Sequence, residues 1–150
     1  MLIPSELTAL VVDDNDYGRI LSEQSLKQVG ISKVFGTADA VHALETLKEN
    51  KIDFVLLDWY MPEVNGAGFA RIVRKGLAHC SPELPIIVTT AYATKENTAR
   101  IRELKLKEIL VKPFSLKHLS AALSIAISQI QPVVEGLADE MDDEADQYML

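Results

Sequence analysis

The sequence predicts an α/β domain, a doubly wound parallel sheet of five strands with five helices on its two faces. Three observations lead there. Short apolar runs alternate with helix-length amphipathic stretches through about the first 130 residues. The runs are continuously apolar, as in strands covered on both faces. They also end in polar residues: Leu7 to Val12 meets Asp13-Asp14, Phe54-Val55-Leu56-Leu57 meets Asp58, Pro85 to Val88 meets Thr89-Thr90, and Ile109-Leu110-Val111 meets Lys112-Pro113. In an open parallel sheet, ligands gather outside the carboxyl ends of the strands. An acid pair, a single acid, a hydroxyl and a lysine are therefore expected to converge.

The first strand, over 7–12, runs into Asp13-Asp14-Asn15-Asp16, a cluster suited to a loop and a helix N-terminus. A helix over 17–29 puts Ile20, Leu21, Leu26 and Val29 near one face and stops at Gly30. Gly18 in its first turn costs about 1 kcal/mol against Ala. A short strand over 33–35 and a helix over 39–49 follow, with Asp39 as cap and Val41, Leu44 and Leu47 as its apolar residues. After the Asp58 strand, Met61-Pro62-Glu63-Val64-Asn65-Gly66 has strong turn chemistry. A helix over 68–75, a strand over 86–89, a helix over 95–104, a strand over 109–111 and a helix over 116–130 complete the alternation. Right-handed crossovers place helices on both faces.

The chain has 150 residues, 48% of them hydrophobic, which suits one domain with a sizeable core. No apolar run reaches the length of a membrane span, and residues 1–6 lack the pattern of a signal peptide. Cys80 is the single cysteine, so no internal disulfide forms. A soluble cytoplasmic protein is expected. The net charge of −7 is local: residues 1–130 balance 15 acidic against 15 basic side chains. Residues 131–150 carry Glu135, Asp139, Glu140, Asp142, Asp143, Glu144 and Asp146 and no Lys or Arg. A flexible acidic tail is the expectation there; its spaced Val133, Val134, Leu137 and Met141 allow a docked helix as the alternative. The balanced remainder gives no general electrostatic reason to bind nucleic acid.

Three carboxylates brought together repel, by about 4 kcal/mol per pair at 4 Å and an effective dielectric near 20. Either one stays protonated or a hard cation joins them. Mg²⁺ fits, because it takes carboxylates, a carbonyl and waters and leaves room for phosphate oxygens. With Lys112 as a fixed cation and Thr90 as a hydroxyl donor, such a site would surround a phosphoryl group in transit. Asp58 is the candidate nucleophile, since a carboxylate can form an aspartyl-phosphate.

The ordered set Asp13-Asp14-Asn15, Asp58 with Met61-Pro62 and Gly66, Thr90-Ala91 and Lys112-Pro113-Phe114 resembles the receiver domain of two-component response regulators. The resemblance spans residues 7–130. It implies the flavodoxin-like strand order 2-1-3-4-5. It also implies that Asp58 takes a phosphoryl group from a histidine kinase or histidine phosphotransfer protein. Asp14, Asp58 and the backbone carbonyl of Tyr60 would hold Mg²⁺ directly, with Asp13 acting through water. Thr90 and Lys112 would contact the phosphoryl oxygens, and the Lys112–Pro113 bond would be cis. The surface of the fourth helix, fifth strand and fifth helix would then control binding to a downstream protein effector, with no direct DNA or membrane contact.

Some positions depart from that family's pattern. Ile109 stands where many members carry a switch aromatic, which puts a Thr–aromatic coupling in doubt. Tyr60 and Tyr92 are bulky where smaller or polar groups are common, and are expected to restrict attacking water and prolong the phosphoryl lifetime. Leu104-Lys105-Leu106-Lys107 lacks a glycine before the last strand, so a non-glycine residue there is expected at positive φ. Trp59 reads as packing beside the site, and His42, His79 and His118 as solvated side chains. Lys95, Arg100, Arg102, Lys105 and Lys107 against Glu96 and Glu103 give a local net of +3, read as a solvated face or an anion-docking patch. The same pair of readings holds for Arg71, Arg74 and Lys75.

The leading expectation is a stand-alone signalling module of residues 1–130 followed by the tail, self-phosphorylating and self-dephosphorylating but not otherwise an enzyme. One alternative is a phosphorylation-independent adaptor using the basic 95–107 patch. Another is an Asp-nucleophile phosphohydrolase, a class that wants a second acid two residues after the nucleophile, where this chain has Tyr60.

Overall fold

The computed structural model describes residues 4–60, 66–106 and 108–128. A 3-10 turn, Pro4–Glu6, precedes five strands: β1 (Thr8–Val12), β2 (Lys33–Thr37), β3 (Phe54–Asp58), β4 (Ile86–Thr90) and β5 (Glu108–Val111). Five helices alternate with them: α1 (Asp16–Gln28), α2 (Ala40–Glu49), α3 (Gly66–Arg74), α4 (Lys95–Glu103) and α5 (Leu116–Ser128). The strands pair in parallel in the order β2-β1-β3-β4-β5, as the resemblance implied.

The central strands β3 and β4 are buried along their whole length, which is why their sequences carry no polar alternation. Strand residues of alternating parity feed two cores. Leu10, Val12, Val55, Leu57 and Val88 pack toward Ala43, Phe69, Val73 and Ile101 of α2, α3 and α4. Val11, Phe54, Leu56 and Ile87 pack toward Leu26 of α1 and Leu119 and Leu123 of α5. The sheet is therefore sandwiched, and its C-terminal edge is left for chemistry.

Among the described residues four helices start on side-chain caps. Asn15 accepts the Gly18 N–H, Asp39 accepts that of His42, Thr94 accepts that of Asn97, and Ser115, just before α5, accepts that of His118. The cap at Asp39 matches the reading of the sequence. Lys105 takes φ 60° and the Lys112–Pro113 bond is cis, both as expected.

The predicted apolar faces need correction. Ile20 and Leu21 of α1 are exposed and Ser22 is buried in their stead, whereas Leu26 is buried and Val29 packs against the core as read from the sequence. In α2, Val41 is exposed while Ala40, Ala43 and Leu47 are buried. Small residues lie inward at both helices because they let the backbone approach the sheet. The turn expected over 61–65, the helical end expected at 129–130 and the flexible or docked tail expected over 131–150 all fall outside the described residues.

Candidate functional site

The C-terminal edge gathers the predicted residues. Asp13 directly follows β1, where its N–H donates to the Thr37 carbonyl at 3.0 Å. Asp58 closes β3, in register with Thr89. Thr90 closes β4 and is fully buried. Lys112 directly follows β5, with its N–H donating to the Thr90 carbonyl at 2.8 Å.

One oxygen from each of Asp13, Asp14 and Asp58 lies within 4.8 Å of the others. Asp13 and Asp58 are buried and Asp14 is exposed, so the group opens to solvent on one side. The Lys112 ammonium donates to Asp13 Oδ2 at 3.1 Å and to Asp58 Oδ1 at 3.3 Å. Asp13 Oδ1 also accepts the Asn15 N–H at 3.0 Å. Burial raises the Asp58 carboxyl to about 6; Lys112 opposes the rise, and Asp13 and then Asp14 add to it. Burial outweighs the adjacent lysine, so the ionised form of Asp58 is disfavoured here and would gain from a further positive charge. Hard oxygen donors, close spacing and one open side fit a small divalent cation.

Two glycines make room for this geometry. A Cβ at Gly66 would lie 2.8 Å from the Asp58 carbonyl oxygen, and the Gly66 N–H donates to the Trp59 carbonyl at 3.2 Å. The start of α3 therefore rests directly on the exit of β3. At Gly18 a Cβ would lie 3.0 Å from Asp13 Oδ2. Its intrinsic helix cost is thereby explained: the first turn of α1 must clear the acid pocket.

Tyr60 and Tyr92 are exposed and face each other edge to face, with ring centroids 5.6 Å apart. The Tyr92 N–H donates to Thr90 Oγ1 at 3.0 Å. Ile109 is half-buried opposite Val88 and packs into the core on the α4 side. Trp59 is buried in that core, matching its reading as packing. His42 is exposed but paired with Asp39, whose carboxylate raises its pKa by hydrogen bonding. Cys80 is a free, half-buried thiol.

Two features carried no signal in the sequence. Arg74, grouped there with Arg71 and Lys75, is not a solvated cation. Its guanidinium donates to the carbonyls of Leu104, Pro82, Leu84 and Lys105, fastening the end of α4 to the loop before β4. Asn97 is the other, and its contacts are described below. The basic residues Lys95, Arg100, Arg102 and Lys105 are exposed. Lys95 and Arg102, with Ala93, Thr98 and Ala99, line an open groove of about 370 Å³ along α4.

The fold and this acid–lysine edge define a receiver-type α/β domain. The response regulator receiver domain family matches residues 9–124, and the chain belongs to that family. It is 25% identical over 131 residues to "Probable chemotaxis protein CheY" of Rhizobium etli, covering 87% of this chain and 100% of that one. It is 33% identical over 126 residues to "Sensor histidine kinase CheAY" of Helicobacter pylori, covering 83% of this chain but 15% of the kinase. Among solved structures, the Francisella response regulator 1452 receiver domain superposes with a TM-score of 0.73 at 25% identity, covering 83% of this chain and 99% of that one. Among the described residues, no helix is long and apolar enough to cross a membrane.

Proposed function

We propose that this receiver accepts a phosphoryl group on Asp58 from a phosphohistidine of a histidine kinase or phosphotransfer protein. An oxygen of Asp58 attacks phosphorus as the P–N bond breaks, and the leaving imidazole nitrogen keeps the electron pair and takes a proton from solvent. Asp14, Asp58 and the Tyr60 carbonyl would hold Mg²⁺, with Asp13 acting through water. The ion supplies charge neutralisation for the incoming phosphoryl oxygens. Lys112 holds positive charge beside the accepting carboxylate, and Thr90 supplies a hydroxyl donor. The observation that carries the reading is the Lys112 ammonium bridging Asp13 and Asp58 within the three-carboxylate group.

The modified aspartate carries about −1.5 to −2 charges. Contacts from Thr90 and Lys112 to those charges favour one of two conformations. The face formed by α4, β5 and α5 then changes its affinity for a downstream protein. The cellular site of action is cytoplasmic, the receiver occupies residues 1–130 with the acidic segment 131–150 outside it, and neither DNA nor membrane is contacted directly. Phosphatase turnover of other substrates is disfavoured because Tyr60 stands where a second acid is needed.

The test is intact mass after incubation with acetyl phosphate and Mg²⁺. Wild type gains one phosphoryl group, dependent on Mg²⁺, and Asp58→Ala gains none. Modification of both proteins alike rejects Asp58 as acceptor. The α4 groove with Lys95 and Arg102 favours a second reading, an adaptor that binds an anionic partner without phosphorylation. Partner binding undiminished in Asp58→Ala would select it.

A further inference from the structure

Asn97 lies in the first turn of α4, and its side chain reaches two strand exits at once. Its Nδ2 donates to the Tyr60 hydroxyl at 2.5 Å and to the Tyr92 carbonyl at 3.0 Å. Both protons of one amide group are thereby engaged, which fixes its orientation. Tyr60 comes two residues after Asp58 on the chain leaving β3. Tyr92 comes two residues after Thr90 on the chain leaving β4, and its N–H donates to the Thr90 hydroxyl. The two tyrosine rings also meet edge to face. An unbroken set of contacts thus runs from Thr90 through Tyr92 to Asn97, with Tyr60 as its second footing.

The helix at the end of this path is weakly held by its own side chains. Within α4 only Ile101 is buried. Polar ties therefore decide where the helix sits: Arg74 at its last turn and Asn97 at its first. Ile109, facing Val88, has no polar group with which to relay a change at Thr90.

We propose that Asn97 is a positioning residue that couples the orientation of Thr90 to the placement of α4, acting through Tyr60 and Tyr92. The inference rests on phosphorylation of Asp58. In the present structure the Thr90 hydroxyl accepts the Tyr92 N–H. A phosphoryl group on Asp58 offers oxygens to which that hydroxyl donates, and turning toward them takes its acceptor away from Tyr92. The Tyr92 carbonyl and ring then shift, and Asn97 carries the shift into the first turn of α4. The groove residues Lys95, Thr98, Ala99 and Arg102 ride on the same helix, so the partner-facing surface changes with it.

Asn97→Asp tests this well. It keeps the side-chain size and removes both donated bonds. The new carboxylate can accept from the Tyr60 hydroxyl but repels the Tyr92 carbonyl, so the path from Thr90 through Tyr92 is cut. An acid suits a helix N-terminus, so α4 stays formed. Amide NMR spectra are recorded for full-length wild type and variant before and after acetyl phosphate with Mg²⁺, with intact mass on the same samples. The expected result is full phosphoryl gain in both proteins, with the shift changes in α4 reduced about fivefold in the variant and those beside Asp58 retained. Tyr60→Phe, which removes the hydroxyl and keeps the ring and backbone, is expected to reduce the α4 changes in the same direction. Wild-type-sized α4 changes in phosphorylated Asn97→Asp would overturn the coupling role alone. Absence of phosphoryl gain in the wild type overturns the reading of Asp58 and, with it, the coupling.

Discussion

Helices α4 and α5 flank the same edge strand but are held by different forces. Helix α5 buries Leu119, Ala121, Ala122, Leu123, Ala126 and Ile127, and all of these but Ala121 share a core with Ile87 of β4 and Leu110 of β5. Helix α4 buries Ile101, with Leu104 at its C-cap half-buried beside it. Apolar burial resists displacement in every direction, whereas a few directional hydrogen bonds can exchange partners at small cost. One side of β5 is thus anchored, and the other is poised to move when the site changes. Local stability across a fold is uneven for this reason, and the movable elements come from its weaker end.

The largest effect is expected on the anchored side. Leu119→Ala removes a fully buried side chain from α5 and should lower global stability by about 3 kcal/mol, read from urea unfolding. A loss within experimental error would mean that apolar burial does not anchor α5. Arg74→Ala removes four bonds to backbone carbonyls at the end of α4 and should cost about 2 kcal/mol. Its signature is faster amide exchange in the last turn of α4, with α5 unchanged.

The site itself gives a pH-dependent prediction. The Asp58 carboxyl lies near 6 in the folded protein, above its ordinary 3.8. Between those values the folded state binds a proton that the unfolded chain has released. Stability without divalent cation therefore falls as pH rises through that window, and the penalty is complete above it. Asp58→Asn should accordingly stabilise the cation-free protein by about 1–2 kcal/mol at neutral pH, an advantage that disappears below the window. Unfolding curves at several pH values check it, and a benefit that grows on acidification would contradict the assignment.

The smallest effect concerns the turn after α4. Lys105 sits at φ 60°, where an L side chain is strained. Lys105→Gly should raise thermal stability by about 1 kcal/mol. A loss of stability would show that the lysine side chain offsets its backbone strain.

The sequence showed the sheet because buried parallel strands leave continuous apolar runs with polar ends. It showed the site because those ends are separated in sequence but adjacent in a doubly wound sheet. The missing glycine before β5 likewise pointed to a non-glycine residue at positive φ within 104–107, which in the structure is Lys105. Ile20, Leu21 and Val41 misled because large apolar residues suggested the buried faces of helices whose inward residues are Ser22, Ala40 and Ala43. Arg74 and Asn97 could not be read at all. Their partners are carbonyls and a hydroxyl on distant segments, and nothing in local spacing marks an arginine or an asparagine for such a bond.

Amide hydrogen exchange of the wild-type protein with and without acetyl phosphate, in Mg²⁺, separates a movable α4 from an anchored α5. Exchange is expected to change over residues 91–104, including α4, while α5 keeps its protection. Equal changes in both helices, or changes confined to α5, would contradict that division.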